Sequence, residues 1–418
     1  MTAVQFLTVD QVRAVQRDFG TPVLVYDEAT LVRQAREALG FPNAFGLTVR
    51  YAMKALPSGA ILRLLHSLGL HIDASSGFEV LRAIRAGIPP EHIQLTAQEL
   101  PADLDELVTA GIEFNACSLN QLAAYGRGFP GTALGVRINP GLGSGHNNRT
   151  NVGGPSSSFG IWHTYIPEVL ETCAAHGLRV TRVHTHIGSG GNPDVWMKCA
   201  RLSLDAAAQF PDVTTLNLGG GFKVARMPDE TGVDVHEIGA VVRDSLEDFA
   251  EACGRKLRLE IEPGSFIVAN AGALVAGVMD VVDTGAAGYR FIKIDAGMTD
   301  VLRPAIYGAQ HPITLVPATD GERPEHEYLV VGHCCESGDV LTPAPGNPEG
   351  LLPRTLPEAR LGDAVVIGGA GAYCSAMSCK NYNSFPEAPE VLLRENGDMQ
   401  LIRERQTLEH MLENELLI

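Results

Sequence analysis

A lysine, a histidine, a run of three glycines and a glutamate lie far apart in this chain. Each closes a short β-rich run: Lys54 in VRYAMKA, His186 in RVTRVHTHIG, Gly219-Gly220-Gly221 at the end of TTLNLGG, Glu262 in KLRLEIEPG. Set among apolar neighbours in YAMKA, Lys54 is expected to be buried, which disfavours its ammonium form and makes it a competent amine for a Schiff base. His186 offers a flat ring to stack on an aromatic ligand. The glycine run lets backbone N–H groups approach a phosphate, with the Ser189 hydroxyl as a further donor. Glu262, facing a ring nitrogen, would keep it protonated and strengthen the ring as an electron sink. Singly, each has a plainer reading: a solvated strand-end lysine, a structural histidine, a tight turn, a rim charge.

Two further groups lie downstream. Cys335-Glu336-Ser337-Gly338-Asp339 sets a thiol beside a carboxylate at a strand end, although an isolated cysteine is more often a small core residue. Arg303 and Tyr307 in RPAIY pair a bidentate cation with a phenol, a set suited to a carboxylate; a surface salt bridge is the alternative.

The elements that must position these residues alternate regularly from about residue 48. Eight strand-like runs (49–55, 71–75, 92–97, 113–118, 133–140, 179–188, 214–220, 256–264) are separated by connections long enough for helices, such as 77–87 and 165–177. Eight such units predict an α/β fold with a (β/α)8 TIM-type barrel, whose reactive face lies where the strands end. A doubly wound sheet would advertise GxGxxG after its first strand, and the chain has none. The N-terminus predicts a helix at 9–19, a strand at 21–26 and a helix at 28–38. After 280 the texture turns strand-like, with Asn396-Gly397 predicting a two-residue hairpin and Thr407 capping a last helix. We expect a barrel over 39–280, and a mostly β domain (a sandwich or barrel) from 1–38 with 281–418. The Gly/Ser/Asn-rich stretch 141–160 reads as a long functional or disordered loop.

A formal charge of −17 over 418 residues disfavours nucleic acid or an anionic membrane surface as partner. The N-terminal residues lack a signal-peptide pattern and no apolar run approaches a bilayer span, so a cytoplasmic location is expected. Eight scattered cysteines form no CxxC pair and suggest reduced thiols and no metal site.

In order along the chain, FGTPVLVYDE (19–28), YAMKA, HTHIGSGG (184–191), LNLGGGF, EIEPG (260–264), IDAGMTDVLRPAIY (294–307), CESGD, GAY (371–373) and YNSFPEAPEVLL (382–393) together resemble the diaminopimelate decarboxylase branch of the fold-type III pyridoxal-phosphate decarboxylases. The resemblance covers nearly the whole chain. It implies pyridoxal 5'-phosphate as cofactor and decarboxylation of meso-2,6-diaminopimelate to L-lysine, the last step of lysine biosynthesis. It implies that Lys54 forms the Schiff base with the cofactor and that His186 stacks on its ring. Ser189, Gly221 and Tyr373 would hold the phosphate, beside Gly264 and Ser265 of the EPG turn, and Glu262 would pair with the ring nitrogen. Cys335 would donate a proton from the partner subunit of a homodimer whose active sites lie at the interface. Glu336, Arg303, Tyr307 and Tyr373 would contact the substrate, Arg303 and Tyr307 gripping its distal carboxylate. Ser265 and Phe385 stand where the family pattern has arginine. Alternatives are a relative acting on another diamino acid or a carboxylated polyamine precursor, a racemase, and a non-catalytic pyridoxal-phosphate carrier.

Overall fold

The computed structural model describes residues 3–142, 153–186 and 192–416. It divides into two compact units, one made of Val32–Val224 and Thr231–Ile267, the other of the chain up to Leu31, Ala225–Glu230 and everything from Val268.

The first unit is a closed barrel of eight parallel strands, at the eight places the periodicity predicts. We label them β1 (Leu47–Ala52), β2 (His71–Ala74), β3 (Ile93–Leu95), β4 (Glu113–Ala116), β5 (Ala133–Asn139), β6 (Arg179–His184), β7 (Thr215–Asn217) and β8 (Arg258–Ile261). Each pairs with the next, and β8 closes on β1 through Ile261 opposite Val49. Polar caps start the connecting helices. Ser76 and Ser118 accept the backbone N–H groups of Glu79 and Gln121, and Asp234 accepts those of His236 and Glu237.

Strand side chains alternate between faces, so residues two apart line the same side. In β6 the pair Arg182 and His184 is buried, and so is the pair Glu260 and Glu262 at the end of β8. Part of the barrel interior is therefore polar, and it is satisfied in layers. In one layer Glu260 binds Arg50 at 2.7 Å and Arg182 at 2.8 Å, while Glu113 binds Arg182 at 2.6 Å and also Arg50. The layer holding Glu262 comes next.

The second unit is mostly β. Its main sheet runs Arg354–Pro357, Glu325–Val331, Arg290–Ile294, Gly272–Asp283, Val23–Asp27, Glu390–Leu393, Met399–Arg403, with Ala364–Ile367 and Ile313–Val316 continuing from Gly272–Asp283. Strand Val23–Asp27 joins the chain's start to this sheet, and Val23, Val25, Val275, Val366 and Val391 form its core with Val12 and Val15 of helix Val9–Phe19. The division between units falls at Leu31 and Val268, where composition had suggested 38 and 281. Pairing partners decide the matter: the twelve-residue strand Gly272–Asp283 pairs with Val23–Asp27 and Ala364–Ile367 along its first half. The expected two-residue hairpin is instead a three-residue loop, because Arg394 N–H bonds to Asp398 O (2.8 Å) and Gly397 N–H to Arg394 O (2.9 Å). Thr407 caps helix Leu408–Leu412 as expected. Among the described residues no helix is long and apolar enough to cross a membrane.

Candidate active site

The barrel site is built around Glu262, the first residue beyond β8. Its carboxylate is buried and held through both oxygens: Oε1 accepts Gln94 Nε2 at 2.6 Å and Asn217 Nδ2 at 2.7 Å, and Oε2, with acceptor capacity to spare, lies 3.1 Å from His184 Nε2. Burial works to raise its pKa, but the hydrogen bond from His184 and the Lys54 charge outweigh it and hold the group below the usual carboxylate range. Nearby Asp73 shows the reverse. Burial and the Glu262 charge push it well above its usual range, so of these two carboxyls Glu262 carries the charge. His184 is driven down by burial, which Glu262 only partly offsets, so its neutral ring donates from Nε2.

His186 lies two residues past β6, against the glycine turn. Gly220 N–H donates to its Nδ1 at 3.1 Å, which leaves the ring's proton on Nε2. Burial, then the Arg137 and Lys54 charges, keep it well below the ordinary imidazole range, so it is a neutral, flat surface. The turn needs glycine. Gly219 and Gly221 have φ of 68° and 101°, and a Cβ on Gly219 would fall 2.5 Å from His186 Nδ1. Gly264 is less tightly set, with Ala52 and Ala55 at 3.3 Å from where its Cβ would be. Ser265, half-buried, starts helix Ser265–Val268. Ser189 lies outside the described residues.

Lys54 departs from expectation. It sits not on β1 but on the 3₁₀ turn Met53–Ala55 that follows, and its side chain is exposed while Met53 and Ala55 are buried. The apolar run buries its own apolar members and leaves the amine out. That amine is nevertheless at the same end of the barrel, since its charge acts on Asp73, Glu79, Glu262, His184 and His186. The lysine, histidine, glycine turn and glutamate therefore converge.

Sequence reasoning missed the groups that fix Glu262: His184, Gln94 and Asn217, with Asp73 beside them. One signal was present. His184, the last residue of β6, lies only two residues before His186. Arg137 was also missed. It is buried on β5 with its guanidinium 5.0 Å from the Phe159 ring centroid, and its Nη2 has no hydrogen-bond partner among the described residues.

The remaining predicted residues belong to the β unit. Arg303 opens and Tyr307 ends the short helix Arg303–Tyr307, both half-buried. Among the described residues Arg303 forms no salt bridge; its Nη1 donates to His311 Nε2 at 3.0 Å. Tyr373 adopts φ 56°, an uncommon conformation for a bulky residue and one worth reading as a site feature. Cys335 and Glu336 are exposed. Their loop is pinned from below by buried Asp339, which accepts Met298 N–H at 2.7 Å and Cys334 N–H at 3.0 Å. Cys335 N–H donates to Asn383 Oδ1 at 2.8 Å, and Asn383 itself has φ 51°. The neighbouring Cys334 thiol is pushed up to about 12 by burial and by Asp339.

Comparison with known proteins agrees with this geometry. Residues 29–269 match the family model described as pyridoxal-dependent decarboxylase, pyridoxal binding domain. The chain is 37% identical to the diaminopimelate decarboxylase of Escherichia coli, over 98% of this chain and 97% of that protein. It is 36% identical to that of Streptomyces coelicolor, over 96% and 91%. A crystal structure of a diaminopimelate decarboxylase superposes with a TM-score of 0.92 at 36% identity, covering 100% of this chain and 99% of the other. The Helicobacter pylori enzyme complexed with L-lysine gives 0.82 at 26% identity, covering 96% and 98%. With a barrel closed as in these proteins and a match running almost end to end, the chain belongs to the pyridoxal-dependent decarboxylases, in the diaminopimelate decarboxylase family.

Proposed function

We propose that this chain decarboxylates meso-2,6-diaminopimelate to L-lysine and CO2 with pyridoxal 5'-phosphate. The observation that carries the reading is the buried, ionised Glu262, clamped by His184, Gln94 and Asn217 at the end of the barrel where the amine, the neutral imidazole and the glycine turn also lie. These residues fit the cofactor. An anionic carboxylate suits a ring nitrogen that must stay protonated, an uncharged imidazole suits a ring face, and a turn with no room for Cβ atoms suits close backbone approach. The relative from Helicobacter pylori was solved with L-lysine bound, the product of this reaction.

When bound, the cofactor supplies a sink for the electron pair left as the α-carboxylate departs. Lys54 would be the amine that holds it covalently. Glu262 keeps a proton on the ring nitrogen, and His184, Gln94 and Asn217 keep Glu262 ionised and in place. His186 would lie against the ring face, and Gly221, Gly264, Ser265, Ser189 and Tyr373 would hold the phosphate. Cys335 returns a proton to the carbon that has lost CO2, with Glu336 beside the substrate and Arg303 and Tyr307 on its distal carboxylate. In this reading the enzyme is a cytoplasmic homodimer. Cys335 and Glu336, exposed on a single chain, serve the partner's site.

The test is CO2 release by the purified, cofactor-loaded protein from meso-diaminopimelate, against L-lysine, L-ornithine, a D-diamino acid and a carboxylated polyamine. We expect turnover of meso-diaminopimelate, abolished in Lys54→Ala. Preference for another member of the panel, or cofactor absorbance without turnover, would replace this reading.

A further inference from the structure

Two guanidinium groups of the β unit, Arg226 and Arg303, form no ion pair among the described residues. Arg226 lies in the short segment Ala225–Glu230, and its Nε donates to Gly369 O at 3.1 Å. Its stem lies close over Gly369. A Cβ there would stand 3.0 Å from both Cγ and Cδ of Arg226, and Gly369 has φ 61°, so glycine is required on both counts. Arg303 reaches the adjacent carbonyl through one intermediary: its Nη1 donates to His311 Nε2 at 3.0 Å, and His311 Nδ1–H donates to Gly368 O at 2.8 Å. Those two bonds fix His311 as a neutral ring. Burial and the charges of Arg303 and Arg226 hold it far below the imidazole range, so it offsets neither cation.

Among the described residues neither guanidinium makes an ion pair. Glu230 accepts the Arg226 backbone N–H at 2.7 Å and forms no salt bridge with its head group. Cys374, buried beside both, has its thiol pushed to about 11 by burial and stays neutral. The cost of this arrangement falls on Arg226: burial first, then repulsion from Arg303, bring it down to about 9. A plain structural arginine would be satisfied by one peg to Gly369 and would gain nothing from a second cation nearby. Two half-buried guanidinium groups without an ion pair among the described residues, one on the Gly369 carbonyl and one on His311, are what an anion with two oxygens relieves. The Tyr307 phenol, on the same short helix as Arg303, adds a neutral donor.

We propose that Arg226 is a second specificity-determining cation, acting with Arg303 on the distal carboxylate of the substrate. This rests on the reading of the chain as a decarboxylase of a dicarboxylic amino acid. The geometry predicts that the pair acts as one site, so the contributions of the two residues are coupled.

The experiment compares wild type, Arg226→Met, Arg226→Lys, Arg303→Met and the double Met variant as holoenzymes. It reads kcat and KM for meso-diaminopimelate, the inhibition constant of pimelate (the same dicarboxylate without amines) and cofactor affinity by visible absorbance. Loss of one charge-assisted pair predicts that Arg226→Met raises KM and the pimelate constant by roughly 10- to 100-fold, with cofactor affinity unchanged. Arg226→Lys should recover part of that loss, and the double variant should lose less than the product of the singles. Pimelate inhibition unchanged in both Arg226 variants, or an effect on cofactor affinity in place of KM, would overturn the assignment. Should wild type not act on meso-diaminopimelate, the functional reading fails; pimelate binding measured by calorimetry still reports on the arginine pair.

Discussion

Replacing Gly220 by alanine tests whether the barrel site depends on backbone contact. The added methyl would lie 2.2 Å from the Glu262 carbonyl oxygen and 3.1 Å from its carbon, where ordinary contact begins at 3.4 Å. The clash is with backbone, so no side chain can swing aside. The glycine turn and the end of β8 must separate by about 1 Å, which strains Glu262 N–H to Gly219 O (2.8 Å) and Gly220 N–H to His186 Nδ1 (3.1 Å). Misplacement on that scale costs on the order of 10²-fold in rate, and the overpacking costs about 1–3 kcal/mol of stability. The assay is kcat/KM for meso-diaminopimelate with cofactor affinity and urea unfolding alongside, and with Gly59→Ala as control. At Gly59 the new Cβ meets only Ala86 Cβ at 3.6 Å, and it lies in the first turn of a helix, where alanine is favoured. Wild-type turnover and cofactor affinity in a folded Gly220→Ala protein would refute the reasoning.

Three other outcomes are expected. Glu262→Gln keeps the shape but not the charge; it should retain bound cofactor and lose about 10²–10³-fold in kcat, as for removal of a preorganised electrostatic group, whereas a kcat near wild type would remove Glu262 from the chemistry. Glu260→Ala leaves buried Arg50 paired with half-exposed Glu113, and should cost about 3–5 kcal/mol in denaturant unfolding; a negligible shift would mean the layer is not structural. His71 is brought down to about 4 by burial first and then by the Arg50 charge. The unfolded imidazole takes a proton near 6.5 and the folded one only near 4, so this residue's contribution favours folding above 6.5 and is lost as pH falls through that window. His71→Asn should flatten the pH dependence of unfolding between those values, and an unchanged slope would contradict the assignment.

Much of the fold was legible because parallel strands buried against helices leave short, largely apolar β-rich runs with turn residues at their ends. The eight runs from VRYAMKA to KLRLEIEPG became β1 to β8 because each carries that signature locally. The convergence of Lys54, His186, Gly219–Gly221 and Glu262 also followed, since in a closed parallel barrel all strand ends point the same way. The hairpin at Asn396-Gly397 was found but its loop length was not, because a bulge shifts register without changing composition. The unit boundary was misplaced for a similar reason, as strand Gly272–Asp283 looks alike in either domain until its partners are known.

By itself the sequence determined which residues end each strand and which side chains share a strand face, since both are set by local backbone geometry. Only the tertiary structure decided that Lys54 is exposed on a 3₁₀ turn, that Gln94, His184 and Asn217 from three different strands meet on one carboxylate, and that Arg226 comes to lie beside Arg303. Those facts depend on the relative register of strands distant in the chain and on burial among their neighbours. Contact between elements, and the loss of water that goes with it, is fixed only when the whole sheet closes.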